Sequence, residues 1–214
     1  MTSRARWIAG AEALAATIAV VGDNLCHLLP NSVFVLVAMA LISFRLREGR
    51  WTVMGLDSPK SWMRTIAMAV AAAIVQQAVG QWVVDPLTQP VLHYSAAANP
   101  LQGSKGFLAV AQWLGIIWTY AAFGEEIGYR AYVLNRVAEF GGGTRAALVL
   151  GLIWSSILFG TAHSYQGPAG IVSGAASGLI FGAAYLLARR NLWVPVLAHG
   201  FSDTLALVLS ILAG

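Results

Sequence analysis

Three ionisable side chains, Glu125, Glu126 and Arg130, stand in the stretch Phe123-Gly124-Glu125-Glu126-Ile127-Gly128-Tyr129-Arg130, inside a largely apolar run from Phe107 to Val137. Adjacent carboxylates in a poorly solvated place are suited to moving protons. Glu126 and Arg130 are four residues apart, the spacing of an ion pair along a helix, which leaves Glu125 as the candidate base. Two further polar groups interrupt apolar segments downstream: Phe159-Gly160-Thr161-Ala162-His163 and His199-Gly200-Phe201-Ser202-Asp203. His199 and Asp203 again share a helical face, and a carboxylate there fixes the tautomer of the imidazole. A Glu, two His and an Asp suit either water activation by side chains or a divalent ion such as zinc with an open position. The metal candidates are therefore Glu125, His163, His199 and Asp203. No HExxH occurs in the sequence, so the soluble zinc-peptidase pattern lends no support.

Composition indicates the elements that must carry these groups. Of 214 residues, 58% are hydrophobic and 10% charged, against about 25% charged in a soluble domain, and mean hydropathy is +0.69. The fold expected is an all-α, polytopic bundle of membrane-spanning helices forming a single integral-membrane domain over 1–214. An ionised side chain at the centre of a membrane helix costs roughly 2.5 to 3.5 kcal/mol on insertion scales, so the charged stretch reads as a site facing protein or water. The basic residues are scattered between apolar runs, which accounts for the net charge of +4 without a nucleic-acid partner. Cys26 is the single cysteine and has neither an internal disulfide partner nor a CxxC mate.

Apolar runs near 20 residues predict spans at Trp7 to Leu29, Val33 to Phe44 with flanks, Trp62 to Val84, Phe107 to Val137, Ala146 to His163, Ala169 to Ala188 and Leu192 to Leu212. Arg4 and Arg6 before the first run resemble a signal peptide. Its length and the lack of a small-x-small cleavage site favour an uncleaved span. Seven spans with the N-terminus cytoplasmic put every Arg and Lys except Lys105 on or toward the inner side, as cytoplasmic loops require. Asp85 to Gly106, with three prolines, reads as a lid, a re-entrant helix or an external loop, and His93 within it as solvated. Glu12, Asp23, Asn24 and His27 lie toward the ends of the first span and read as interfacial. Gln76, Gln77 and Gln81 read as interhelical hydrogen-bonding groups. Gly170, Gly174, Gly178 and Gly182 form a small-residue stripe against which neighbouring helices can settle.

The depths of the polar groups test whether they meet. At ~1.5 Å per residue from the inner end of each helix, Glu125, Glu126 and Asp203 lie at roughly 18 Å, His199 at roughly 12 Å and His163 at roughly 27 Å. His163 is expected high unless its helix tilts or starts later.

Glu125-Glu126-x-x-x-Arg130, Phe159-x-x-x-His163 and His199-x-x-x-Asp203, in that order on successive helices, resemble the CPBP intramembrane proteases, the CAAX and bacteriocin-processing enzymes also called the Abi family. The resemblance covers Phe107 to Leu212. It implies an intramembrane endopeptidase, a hydrolase, acting on a peptide or protein substrate that is lipidated or membrane-bound. It also implies that Glu125 and His163 activate a water and that His199 and Asp203 support the oxyanion, with Glu126, Arg130 and Phe159 supporting. The family has been classed both as metal-dependent and as metal-free. Members often carry Asn at the last position, where an amide can donate; an ionised Asp203 cannot, and is expected to orient His199 and keep it protonated instead, so that His199 is the donor. Typical members have eight spans, against seven here. Arg over Lys and an Ala bias point to a bacterial inner membrane. Intramembrane Glu and His also suit a proton- or ion-coupled transporter, although paired inverted repeats are not evident, and a non-catalytic scaffold or bacteriocin-immunity protein could keep the same fold.

Overall fold

Helices start where a polar residue precedes an apolar run, and the first polar side chain caps the free amides. In the computed structural model, which describes residues 2–93 and 106–212, Thr2, Asn31, Ser61 and Thr144 each accept from a backbone N–H in the first turn of the helix that follows. Such caps each contribute about 1 kcal/mol. The helices are α1 (Ser3–Asn24), α2 (Ser32–Ser43), α3 (Trp62–Thr88), α4 (Phe107–Phe140), α5 (Arg145–Ala162), α6 (Gly167–Leu187) and α7 (Trp193–Leu212). No strand occurs among the described residues.

All but α2 are long and apolar enough to cross a bilayer, and the chain is an integral membrane protein. Helix α2 has only 12 residues of α-helix, extended by the five-residue π turn Phe44–Glu48, so six of the seven predicted spans reach spanning length. Its ends nevertheless match those of α1. At one end Ser32 N donates to Asp23 at 2.6 Å; at the other Arg47 reaches the Ala5 carbonyl and Glu12. The short helix thus returns the chain to the N-terminal face. Exposed Leu14, Ile18, Phe34, Ile74, Trp82, Leu150 and Leu209 form the apolar exterior expected against lipid, since backbone polar groups are satisfied within each helix.

Helix α3 runs on to Thr88 through the π turn Gly80–Val84, so the first residues of the Asp85 to Gly106 segment are helical. His93 is exposed, and residues 94–105, where a lid or re-entrant element was considered, lie outside the described residues.

The glycine stripe brings α5 and α6 into close contact. A Cβ at Gly178 would lie 2.9 Å from Ser156 Cα, and one at Gly160 would lie 2.4 Å from the Ile171 carbonyl oxygen. Gln76 donates to Ser177 at 3.0 Å and Gln77 to the Ser202 carbonyl at 3.3 Å, fastening α3 to α6 and α7. On the N-terminal face, Arg47 and Arg136 are interleaved with Glu12, Glu48 and Glu139. Glu12 is therefore paired at this end of the bundle, not free to snorkel. There the linker after α2 docks on the α6–α7 turn, with Leu192 N donating to the Gly55 carbonyl at 2.9 Å. A Cβ at Gly55 would lie 2.1 Å from the Arg190 carbonyl oxygen, and its φ is +86°, so only glycine fits.

Candidate active site

Helix α4 changes its winding where the charged residues fall. Ile117–Glu125 and Ile127–Leu134 are π-helical, with Glu126 as the single α-helical residue between them. Such wide turns are rare and concentrate at functional sites. Here they turn the two adjacent carboxylates toward different surroundings, one into the packed core and one onto a cavity.

Glu126 is fully buried. Its Oε1 lies 2.9 Å from Arg130 Nη1 and 2.9 Å from Nδ1 of His199. Arg130, 1% exposed, has its guanidinium carbon 4.3 Å from the Phe159 ring centroid and donates to the Gly178 carbonyl at 3.5 Å. Removing one charge from such a buried pair leaves the other uncompensated, at about 3 to 5 kcal/mol. The carboxylate, the ring face and the carbonyl together make the buried cation tolerable.

His199 joins the two halves of the site. Nδ1 points to Glu126; Nε2 lies 3.4 Å from Asp203 Oδ2 and 4.0 Å from Glu125 Oε2. Phe181 stacks on the ring with centroids 5.1 Å apart. Both ring nitrogens face carboxylate oxygens, an arrangement that an imidazole carrying N–H on both sides satisfies.

His163 closes the C-terminal end of α5. Its Nδ1 lies 2.8 Å from the Phe159 carbonyl oxygen; because a carbonyl only accepts, this nitrogen carries the proton and Nε2 is left as an acceptor. Phe159 separates the two histidines, 4.7 Å from His163 and 5.8 Å from His199 between ring centroids. Gly174 provides the room, since a Cβ there would lie 3.0 Å from His163 Cγ.

Glu125 and His163 line one cavity of about 740 Å³ with Asp23, Asn24, Asn31, Val33, Phe34, Ile116, Thr119, Tyr120, Ala162 and Tyr165. His163, which counting along the helix put too high, thus borders the same space as Glu125. Asp23 and Asn24, expected to be merely interfacial, border it as well. Tyr120, whose hydroxyl donates to Asn31 at 2.9 Å, is a lining residue that sequence reasoning missed. It precedes Glu125 by five residues, a spacing that i to i+5 winding brings to one side and that an α-helical count separates. Phe181 was missed too; it sits beside Gly182 of the glycine stripe, which marked that helix as closely packed.

The donor set was also a candidate for a metal. Among the described residues no three His, Cys, Asp or Glu side chains converge as a metal-ligand set, and both nitrogens of His199 are already directed at carboxylates. Glu125, His163, His199 and Asp203 therefore do not fit a divalent ion in this arrangement.

Residues 107–205, just under half of the chain, match the profile of the family described as "Rce1-like: Type II CAAX prenyl endopeptidase Rce1-like". No curated protein and no solved structure matches the chain. Glu125, Glu126, Arg130, Phe159, His163, His199 and Asp203 all fall inside the matched segment, and the match supports a protease family of the CPBP or CAAX type for the half of the chain that carries the candidate site.

Proposed function

We propose that the chain is an intramembrane endopeptidase in which Glu125 and His163 activate a water and His199 stabilises the oxyanion. The observation that carries this reading is that Glu125 and His163 line the same cavity while His199 Nε2 lies 4.0 Å from Glu125 Oε2. That separation exceeds a direct hydrogen bond and leaves space for a bridging oxygen.

Water held by Glu125 and the unprotonated Nε2 of His163 gives a proton to the Glu125 carboxylate as its oxygen attacks the scissile carbonyl carbon. The carbonyl π electrons move to oxygen, and the N–H on His199 Nε2 donates to the resulting oxyanion, an arrangement effective where water is scarce. Collapse of the tetrahedral intermediate breaks the C–N bond, and the proton on Glu125 passes to the leaving amine. Asp203, an acceptor when ionised, keeps the His199 proton in place on one side as Glu126 does on the other. Val33, Phe34 and Ile116 in the cavity wall suit an apolar residue beside the scissile bond of a membrane-associated peptide.

The test is Glu125→Gln in purified protein with a library of membrane-tethered peptides. The amide keeps the size and cannot take a proton, so cleavage falls by about 10²- to 10⁴-fold while helix content stays as in wild type. Undiminished cleavage by this variant rules the mechanism out.

A further inference from the structure

Cations from two chain segments converge on a hollow separate from the cavity that Glu125 lines. Lys60 and Arg64 come from the start of α3, and Arg189 and Arg190 from the α6–α7 turn; together they line a space of about 470 Å³ whose wall also carries the carboxylate of Asp57. All four basic side chains are exposed, and among the described residues none of them forms an ion pair. The two walls are fastened to each other. Leu192 N donates to the Gly55 carbonyl at 2.9 Å, Asn191 Nδ2 to Thr65 Oγ1 at 3.2 Å and Trp193 Nε1 to the Leu56 carbonyl at 3.1 Å. Ser61, the cap of α3, stands in the same wall, so the positive end of that helix adds to the charge.

The α6–α7 turn would form more easily without arginine. Arg190 N donates to the Tyr185 carbonyl at 2.8 Å and Arg189 N to the Leu186 carbonyl at 3.0 Å, the pair of bonds that closes a helix with glycine usually in the left-handed position. Arg189, with φ +58°, and Arg190, with φ +64°, both adopt that conformation, which strains a residue bearing a Cβ and does not strain glycine. Unpaired cations carried on strained backbone point to a partner outside the chain. Met68, Leu187 and Val194 give the hollow an apolar side. Trp62 and Trp193, with ring centroids 5.4 Å apart, begin α3 and α7 beside it, and tryptophan settles at the level of lipid headgroups. An anion held among the cations therefore has hydrocarbon surface next to it.

We propose that this hollow binds the phosphate of an anionic phospholipid, with the acyl chains lying along the exposed side chains of Met63, Ile66 and Leu187. Basic pockets between membrane helices take acidic headgroups, and the guanidinium fork matches phosphate oxygens. A lipid so placed clamps the start of α3 to the turn that leads into α7, the helix of His199 and Asp203. It does so whatever reaction the site carries out.

Protein purified in a neutral detergent is titrated with phosphatidylglycerol, with phosphatidylcholine and with glycerol 3-phosphate, a phosphate without acyl chains. Thermal unfolding and native mass spectrometry of retained lipid are the readouts. Phosphatidylglycerol is expected to stay bound and to raise the unfolding midpoint, and the other two to do neither. Arg189→Asn/Arg190→Asn suits the left-handed backbone, so without lipid it should unfold no earlier than wild type, yet its apparent affinity for phosphatidylglycerol should fall about tenfold or more. Lys60→Gln/Arg64→Gln, from the opposite wall, should lose as much. Arg50→Gln/Arg145→Gln removes exposed cations outside the hollow and should bind as wild type does. Equal loss in all three double variants means diffuse surface attraction and overturns the site, as does unchanged affinity in either hollow variant. A midpoint raised as far by glycerol 3-phosphate overturns the lipid as its occupant.

Discussion

His199 Nδ1 and Glu126 Oε1 lie 2.9 Å apart although 73 residues separate them in the chain. The contact ties the charged turn of α4 to α7, and it ties Arg130 to the same oxygen. Glu126 therefore does more than pair with Arg130 along its own helix. It is positioned to hold the His199 ring, leaving Nε2 directed at Asp203 and Glu125.

Replacing Glu126 by Gln tests this role. The amide can still accept one hydrogen bond but cannot neutralise both Arg130 and a protonated His199. Cleavage is expected to fall at least tenfold, about 1.4 kcal/mol of transition-state stabilisation, with the loss in kcat because bound substrate does not touch Glu126. Glu126→Ala goes further and leaves Arg130 buried without its carboxylate, costing about 3 to 5 kcal/mol of stability. Thermal unfolding of the two variants beside their kcat separates positioning from folding; equal kcat for Glu126→Gln and wild type excludes the positioning role.

Much of the site could be read from residue spacing because its local pairs obey helical geometry. Glu126 with Arg130 and His199 with Asp203 are both i, i+4 pairs, and the glycine stripe of α6 forecast the close packing that Gly160, Gly174 and Gly178 display. What spacing does not encode is winding and azimuth. The π turns of Ile117–Glu125 and Ile127–Leu134 leave no mark in apolar periodicity, so neither Tyr120 beside Glu125 nor the separate directions of Glu125 and Glu126 could be counted out. The Glu126 to His199 bond depends on how α7 lies against α4, a tertiary fact. Glu12 looked like a lone interfacial acid because its partners, Arg47 and Arg136, are 35 or more residues away.

Gly174 offers a steric test of His163. An added methyl would lie 3.0 to 3.1 Å from Cγ, Cβ and Nδ1 of that ring, close enough to displace it by a few tenths of an ångström. A full ångström of misplacement costs about 10² in rate, so Gly174→Ala is expected to lower kcat/KM by about tenfold on the same logarithmic scale. Gly115→Ala, whose methyl meets nothing within 4 Å, serves as the control and should retain full activity. Equal rates for the two variants would separate His163 from the chemistry.

The charge network on the N-terminal face is predicted to govern stability without touching catalysis. Arg136, 4% exposed, contacts Glu139 at 2.7 Å, Glu48 at 3.0 Å and Glu12 at 3.1 Å, and donates to Ser43 at 3.0 Å. Arg136→Ala leaves Glu12 and Glu139 to share Arg47 and takes from Glu48 its ion pair with Arg136, and losing a buried partner of this kind costs about 3 to 5 kcal/mol. Arg136→Lys keeps one charge but not the fork that reaches several carboxylates at once, so its unfolding midpoint in detergent should fall between those of Arg136→Ala and wild type. Near-native kcat in whatever fraction of Arg136→Ala remains folded is the accompanying expectation, because the network lies at the end of the bundle away from the cavity. A proportionate fall in kcat per folded molecule would instead mean that the two ends of α4 are coupled.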